Sequence, residues 1–139
     1  MTMTWESIKE GDSISELVKK PGVSQLVKYA AGSGDFNPLH HDYNFPQSKE
    51  IGSIIVHGRF KYAVLGECVS NWLDHQGRIK TITCQYRGMD FPDQEIICKG
   101  TTIRKWQEKG EKLVELDVWT ENSDGKTTTP GKATVSLKN

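Results

Sequence analysis

The apolar segment 58–73 constrains the fold of this chain more than any other feature. Its apolar residues recur at helical spacing, but they lie on more than one face of the helix: Phe60, Ala63, Val64, Leu65, Cys68, Val69, Trp72 and Leu73. A helix that is apolar nearly all round is usually buried. The sequence therefore predicts one long helix with few solvent-facing positions, which other elements of the chain must cover.

The second half of the chain predicts those covering elements. Segments rich in β-branched and alternating apolar residues predict four strands, at 81–86, 96–103, 113–119 and 133–137. Turn signals separate the strands at Pro92, Gly110 and Gly125. Pro130 is expected just before the last strand, where its missing N–H does least harm. One buried helix followed by four strands indicates an α+β domain whose meander curls around the helix.

The first half of the chain predicts shorter elements. Residues 12–18 alternate weakly and predict an edge strand that ends before Pro21. A helix is expected after it, with Ser24 as the N-cap and with Gly32 and Gly34 as the stop signal. A further short helical turn is expected within 42–50.

Composition limits the classes of protein to which the chain can belong. At 139 residues it is most simply one domain spanning residues 1–139. The formal net charge is zero, so bulk charge favours neither nucleic acid nor an anionic membrane as a partner. No apolar run approaches a membrane span. The three cysteines form no C-x-x-C pair, which predicts reduced thiols and a cytoplasmic location.

The loop Gly34-Asp35-Phe36-Asn37-Pro38-Leu39-His40 carries a carboxylate and an imidazole at short range. Asp, Asn and Pro are also ordinary turn residues, so the loop alone leaves a purely structural role open. Pro38 stiffens it, however, and a rigidly held Asp and His can perform general acid–base chemistry. His57 and Gly58 open the long helix, where a free N–H can receive a developing oxyanion. Together these segments indicate an enzyme that acts on a carbonyl compound.

This loop, preceded by Tyr29-Ala30 and followed by Val56-His57-Gly58, resembles the signature of the MaoC-like (R)-specific enoyl-CoA hydratases and 3-hydroxyacyl dehydratases. The resemblance implies the hot-dog fold, in which a curled antiparallel sheet wraps a central helix. It implies reversible hydration of a trans-2-enoyl thioester carried by coenzyme A or acyl carrier protein, without a cofactor or metal. It also implies a homodimer or higher oligomer, with a heterodimer as the alternative.

The resemblance assigns roles to four residues. Asp35 and His40 are the expected catalytic pair and hold one water between them, with Asp35 as the general base and His40 as the proton donor. Asn37 is expected to orient the loop and the water. The N–H of Gly58 is expected to polarise the thioester carbonyl and stabilise the enolate. No metal ligand is expected.

The chain departs from the family pattern at two places. Pro46 stands where the family often has Ala or Ser, and Arg59-Phe60-Lys61 replaces a more apolar stretch after His-Gly. The helix macrodipole disfavours cations at this end. We expect Arg59 and Lys61 to extend outward to solvent, the alternative being a contact with a phosphate or carboxylate of the acyl carrier. Tyr62 is a candidate for lining the acyl channel.

Two other functions remain open from the sequence. Thioesterases of the hot-dog fold usually place a carboxylate on the central helix, and Glu67 is the only candidate for it here. A non-catalytic subunit that completes a catalytic partner is the second alternative. Asp35 and His40 argue against both, because neither function has a physical need for this pair.

Overall fold

The structure is a computed structural model, and it describes residues 2–138. It contains five strands and three α-helices: β1 (Leu17–Lys19), α1 (Val23–Ser33), α2 (Pro46–Ile51), α3 (Gly58–Leu73), β2 (Gly77–Cys84), β3 (Ile96–Glu108), β4 (Glu111–Glu121) and β5 (Thr127–Leu137). A short 3-10 helix, Pro38–His40, lies between α1 and α2. The predicted α+β class is confirmed, and α3 begins and ends where the sequence predicts.

The five strands form one antiparallel sheet in the order β1-β3-β4-β5-β2. The register shifts by a residue at three places, which include the β3–β4 pairing at Thr102 and Arg104. Such bulges bend strands and increase their twist. The sheet is accordingly curled into a half-barrel, and α3 contacts all five strands. This is the hot-dog fold that the resemblance implies.

The core lies between α3 and the concave face of the sheet. Alternate residues of β4, namely Val114, Leu116 and Val118, are fully buried and pack in one cluster with Leu65 and Val69 of α3. Strand periodicity puts every second side chain on that face. The predicted edge strand is shorter than expected: β1 covers only Leu17–Lys19, and Ser13 adds one isolated bridge to Thr101.

One face of α3 is exposed in the single chain, so the prediction of few solvent-facing positions is wrong. The exposed residues of α3 are Arg59, Tyr62, Ala63, Glu67, Ser70 and Asn71. They recur at three- and four-residue spacing, and the sheet curls around only the opposite side. Within residues 2–138, no helix is both long and apolar enough to cross a membrane.

Two local predictions fail for identifiable reasons. Ser24 does not cap α1, because it lies inside the helix, which begins at Val23 with Gly22 in the N-cap position and no side-chain cap. Pro130 lies inside β5, between β4 and β2, and not before it. Its carbonyl accepts from the N–H of Gln85, just beyond the end of β2. The N–H and C=O of a strand residue point the same way, so the side of Pro130 that lacks a donor faces Gln85, beyond the end of β2.

Gly131 is a position where the packing tolerates no side chain. A Cβ atom there would lie 2.5 Å from the carbonyl oxygen of Thr83 and 3.1 Å from Leu65 of α3. We predict that Gly131→Ala lowers the free energy of unfolding by about 1–3 kcal/mol, because it overpacks this contact. Urea unfolding of the purified protein measures the change.

Gly32→Ala provides the matched control. Gly32 lies within α1, and a Cβ atom there would meet nothing within 4 Å. Because alanine is the better helix former, this variant should gain up to about 1 kcal/mol. Equal stability of the two variants would contradict the close approach of β5 to β2 and α3.

Candidate active site

The loop between α1 and the 3-10 helix is held by its own side chains. Gly34 ends α1 with a left-handed φ of 78°, which turns the chain sharply. The carboxylate of Asp35 accepts the N–H of Asn37 at 3.3 Å, and the side chain of Asn37 accepts the N–H of Leu39 at 3.1 Å. Pro38 begins the 3-10 helix. These contacts fix the loop locally, which explains why turn residues at this spacing occur here.

The loop brings the side chains of Asp35 and His40 together. Asp35 Oδ2 lies 3.9 Å from His40 Nε2, which is too far for a direct hydrogen bond. A water molecule at ordinary hydrogen-bond distances of about 2.8 Å can contact both atoms across this gap. The His40 ring is buried, whereas the Asp35 side chain is about one-third exposed (37 %). The pair therefore faces solvent from the carboxylate side.

The hydrogen bond at the other nitrogen of His40 determines the tautomer of the neutral ring. Nδ1 lies 2.8 Å from the carbonyl oxygen of Ile55, which can only accept a hydrogen bond. Nδ1 must therefore carry a hydrogen. Nε2 is the atom left facing Asp35, bare in the neutral ring and protonated in the imidazolium.

The imidazole of His57, which the sequence left without a role, lies against that of His40. The two rings are stacked with centroids 3.9 Å apart, and Tyr29 contacts His57 edge-on at 4.9 Å. His57 Nε2 lies 3.2 Å from the carbonyl oxygen of Asp35 and donates to it. Burial lowers the pKa of His57, and the neighbouring His40 lowers it further. His57 is therefore a neutral ring that ties the start of α3 to the loop.

Gly58 is the first residue of α3, where N–H groups have no acceptor within the helix. Its N-cap, His57, provides no side-chain hydrogen bond there. Gly58 lines a cavity of about 360 Å³ together with His40, Lys61 and Tyr86. The Tyr86 ring covers the glycine closely, since a Cβ atom on Gly58 would lie 3.1 Å from it. The start of α3 and the His40 ring therefore line the same cavity.

A larger groove, about 560 Å³, lies elsewhere, along β2, β4 and β5. Its acid and base, Asp117 and Lys132, are already paired at 2.8 Å on the exposed surface. An exposed ion pair of this kind has no special reactivity. The smaller cavity instead combines the His40 ring with the first residue of α3, and Asp35 Oδ2 lies 3.9 Å from His40 Nε2.

The donor atoms of Asp35, His40 and His57 all lie within 4.8 Å of one another, so these residues have the spacing to hold a metal ion. The sequence does not predict this grouping, because His57 is 17 residues from His40 along the chain and no local spacing links it to the loop. One carboxylate and two imidazoles are a ligand set that Zn²⁺ uses. The same spacing also suits an acid–base pair supported by a neutral imidazole, which requires no metal.

The cations that follow His57-Gly58 behave differently from each other. Arg59 is exposed, as expected, but Lys61 is not: only 2 % of its surface is accessible, and the expectation that it extends to solvent is wrong. Its ammonium group lies 3.0 Å from Asp90, which is itself 3 % exposed. The sequence could not reveal this pairing, because Asp90 is distant along the chain and no local pattern marks it.

The remaining polar candidates on α3 lie on its outer face. Glu67 is paired with Lys19 at 3.0 Å and is 44 % exposed. The hydroxyl of Tyr62 donates to the carbonyl oxygen of Ile82 at 2.6 Å. Tyr62 lines a separate groove with Tyr29, Arg59 and Tyr86, next to the cavity beside His40. Glu67 lines neither of these spaces.

Comparison with known proteins is consistent with this geometry. A family model described as "MaoC like domain" matches residues 7–123. The chain belongs to the MaoC-like domain family. This match includes the loop of Asp35 and His40, the start of α3 and most of the sheet, so the resemblance read from the sequence is confirmed.

The chain is similar in sequence to one curated protein and in fold to two solved structures. The chain is 28 % identical over 109 residues to the fatty acid synthase subunit beta of Saccharomyces cerevisiae, which covers 77 % of this chain but only 5 % of that protein. It superposes with a TM-score of 0.85 on an (R)-hydratase from A. caviae involved in PHA biosynthesis, at 22 % identity, covering 96 % and 99 % of the two chains. With the ChsH1-ChsH2 complex from Mycobacterium tuberculosis the TM-score is 0.79, at 19 % identity and 94 % and 98 % coverage.

Our prediction for the site concerns the buried His57. Its pKa is lowered in the folded protein, whereas the unfolded chain binds the proton near the ordinary value of 6.5. As pH falls through that value, the unfolded state takes up more protons than the folded state, so the free energy of unfolding decreases. His57 contributes a slope of at most about 1.4 kcal/mol per pH unit between pH 7 and 5.

Denaturant unfolding at pH 5, 6 and 7 measures the slope, and His57→Gln is the control. Glutamine keeps an amide donor for the Asp35 carbonyl but does not titrate. The variant should therefore show a shallower pH dependence than the wild-type protein. Identical slopes in the two proteins would show that His57 has the same charge in the folded and unfolded states.

Proposed function

We propose that this chain catalyses the reversible hydration of a trans-2-enoyl thioester to a (3R)-hydroxyacyl thioester. The observation that carries the proposal is the 3.9 Å gap between Asp35 Oδ2 and His40 Nε2, beside the cavity that Gly58 lines. Hydration of an activated alkene needs a base for water, an acid for the α-carbon and a donor at the carbonyl. Membership of the MaoC-like family supports the same reaction.

In the hydration direction, Asp35 acts first as the general base. Its carboxylate takes one proton from the bound water while the water oxygen forms a bond to C3 of the enoyl group. The C2=C3 electron pair moves toward the thioester carbonyl, which becomes an enolate. The Gly58 N–H donates to the enolate oxygen, where negative charge develops.

His40 then completes the addition. Its Nε2 proton passes to C2 as the enolate collapses to the saturated thioester. Because Nδ1–H is committed to the Ile55 carbonyl, a proton on Nε2 requires the imidazolium form. After one turnover Asp35 carries the proton taken from water and His40 is neutral. Transfer of that proton from Asp35 to His40 through solvent restores the starting state.

The substrate class we propose is an acyl thioester of coenzyme A or acyl carrier protein, in fatty acid metabolism. The fatty acid synthase and (R)-hydratase relatives support this assignment. The cavity beside His40 has walls of Ile55, Val56 and Met89, which suit an apolar acyl chain. Glu67, the carboxylate that a thioesterase would need on α3, is exposed, paired with Lys19 and outside this cavity. The structure therefore favours a hydratase over a thioesterase.

We further propose that the chain works as a homodimer or higher hot-dog oligomer. β1 and β2 are the two edges of the sheet, and a free edge is a ready template for pairing with another chain. The outer face of α3, which includes Tyr62 and Ala63, is also exposed in the single chain. A heterodimer with a second hot-dog chain is the alternative, and it would show as activity that appears only on mixing.

Turnover of crotonyl-CoA tests the proposed function directly. The purified protein, treated with EDTA, should remove the enoyl-thioester absorbance without releasing free thiol. Asp35→Asn and His40→Ala should each lower kcat by at least about 10²-fold, because each removes one partner of the proton transfers. Thermal unfolding of both variants should remain close to that of the wild-type protein.

His41→Ala is the matched control, because His41 is the exposed neighbour of His40 and lines no part of the cavity. It should retain the wild-type kcat. Thiol release would identify a thioesterase, and activity only with a second polypeptide would identify a dependent subunit. Activity that EDTA removes and Zn²⁺ restores would show that Asp35, His40 and His57 act as metal ligands. Normal turnover by either Asp35→Asn or His40→Ala would exclude that residue from the mechanism.

A further inference from the structure

A buried ion pair lies directly beside the proposed oxyanion site. Lys61 stands in the first turn of α3, and its ammonium group contacts Asp90 Oδ2 at 3.0 Å with both residues almost fully buried. Two effects oppose a lysine here: removal of its charge from water and the positive end of the helix dipole. An apolar residue of similar size would fill the space without either penalty. The pair therefore calls for an explanation beyond packing.

The ion pair is the centre of a larger polar network. Lys61 Nζ also donates to the carbonyl oxygen of Gly88 at 2.8 Å. The hydroxyl of Thr128 donates to Asp90 Oδ2 at 2.6 Å and contacts the hydroxyl of Thr120 at 3.0 Å. The network thus connects the first turn of α3 to β4, to β5 and to the segment 86–90, which follows β2.

The segment 86–90 contacts the mouth of α3 at two points. Its Asp90 carbonyl accepts the N–H of Val56 at 2.8 Å, immediately before His57 and Gly58. At its other end, the Tyr86 ring covers Gly58. Between these points, the N–H of Gly88 is held by the Thr128 carbonyl at 3.0 Å. Residues 86–89 therefore form the wall of the cavity that lies against Gly58.

We propose that Lys61 is a positioning residue that fixes this wall, and with it the Gly58 N–H, for the thioester carbonyl. The inference deepens the proposed hydratase function and rests on it. Without the ammonium group, the Gly88 carbonyl and the Asp90 carboxylate lose their shared donor in a dry interior. The segment would then shift to reach water, which moves Tyr86 and loosens the Val56 anchor. Displacements of this kind at a reacting centre have large effects on rate.

The test compares a neutral pair with the native ion pair. The double variant Lys61→Met/Asp90→Asn removes both charges and keeps their approximate volume, and it leaves an acceptor for Thr128. Lys61→Arg keeps the cation and two or more donors. Lys19→Met is the matched control, because it breaks an ion pair of the same 3.0 Å length on the exposed face of α3. Where the double variant does not fold, Asp90→Asn alone replaces it in each measurement.

Amide hydrogen exchange by NMR provides a readout that does not depend on turnover. In the double variant we expect exchange at residues 56–58 and 86–90 to accelerate by about tenfold or more, while the last two turns of α3 remain unchanged. On crotonyl-CoA, kcat should fall by about 10–10²-fold with KM within about threefold of the wild-type value. Lys61→Arg should retain the wild-type exchange rates and kcat, and Lys19→Met should match the wild-type protein in both measurements.

The outcomes separate this inference from the function on which it rests. A wild-type protein without hydratase activity removes the proposed function, and the exchange pattern then still decides whether Lys61 fixes the wall. Unchanged exchange at 86–90, together with kcat within twofold of wild type, would overturn the inference. Uniformly faster exchange throughout α3 would also overturn it, because it would indicate general destabilisation.

Discussion

Two hydrogen bonds from histidine rings to backbone carbonyls hold the site together, and the rest of the arrangement depends on them. His40 donates to Ile55, and His57 donates to Asp35, so each ring ties one segment to the other. Two hydrogen bonds in opposite directions therefore link the loop to the segment 55–57 that leads into α3. These two hydrogen bonds also hold the rings in a stack and leave His40 Nε2 facing the Asp35 carboxylate.

The hot-dog fold positions the two segments that these hydrogen bonds join. The sheet curls around one side of α3 and buries it, while Gly58 and Lys61 of the first turn line the cavity beside His40. The opposite wall of the cavity comes from the segment after β2, which the Lys61–Asp90 network ties back to the same helical turn. Local contacts therefore fix the loop of Asp35 and His40, and long-range contacts fix the segment 86–90 on the other side of Gly58.

The features that the sequence predicted are those encoded by nearby residues. The long periodic pattern of 58–73 predicted α3, and the spacing of Asp35, Pro38 and His40 marked the loop. Features that depend on distant partners were missed. The burial of Lys61 depends on Asp90 and Gly88, and the pairing of Pro130 inside β5 depends on Gln85. The role of the His57 ring required knowledge of which way the Asp35 carbonyl points.

We propose that Asp35, His40 and the Gly58 N–H all act on one thioester, bound in the cavity that His40 and Gly58 line. A crystal structure of the wild-type protein with butyryl-CoA tests it most directly, because this saturated analogue lacks the double bond and is not hydrated. We expect the thioester oxygen about 2.7–3.1 Å from Gly58 N, with C3 facing the gap between Asp35 and His40. A thioester bound with its carbonyl away from Gly58, or in the groove of Asp117 and Lys132, would contradict the account.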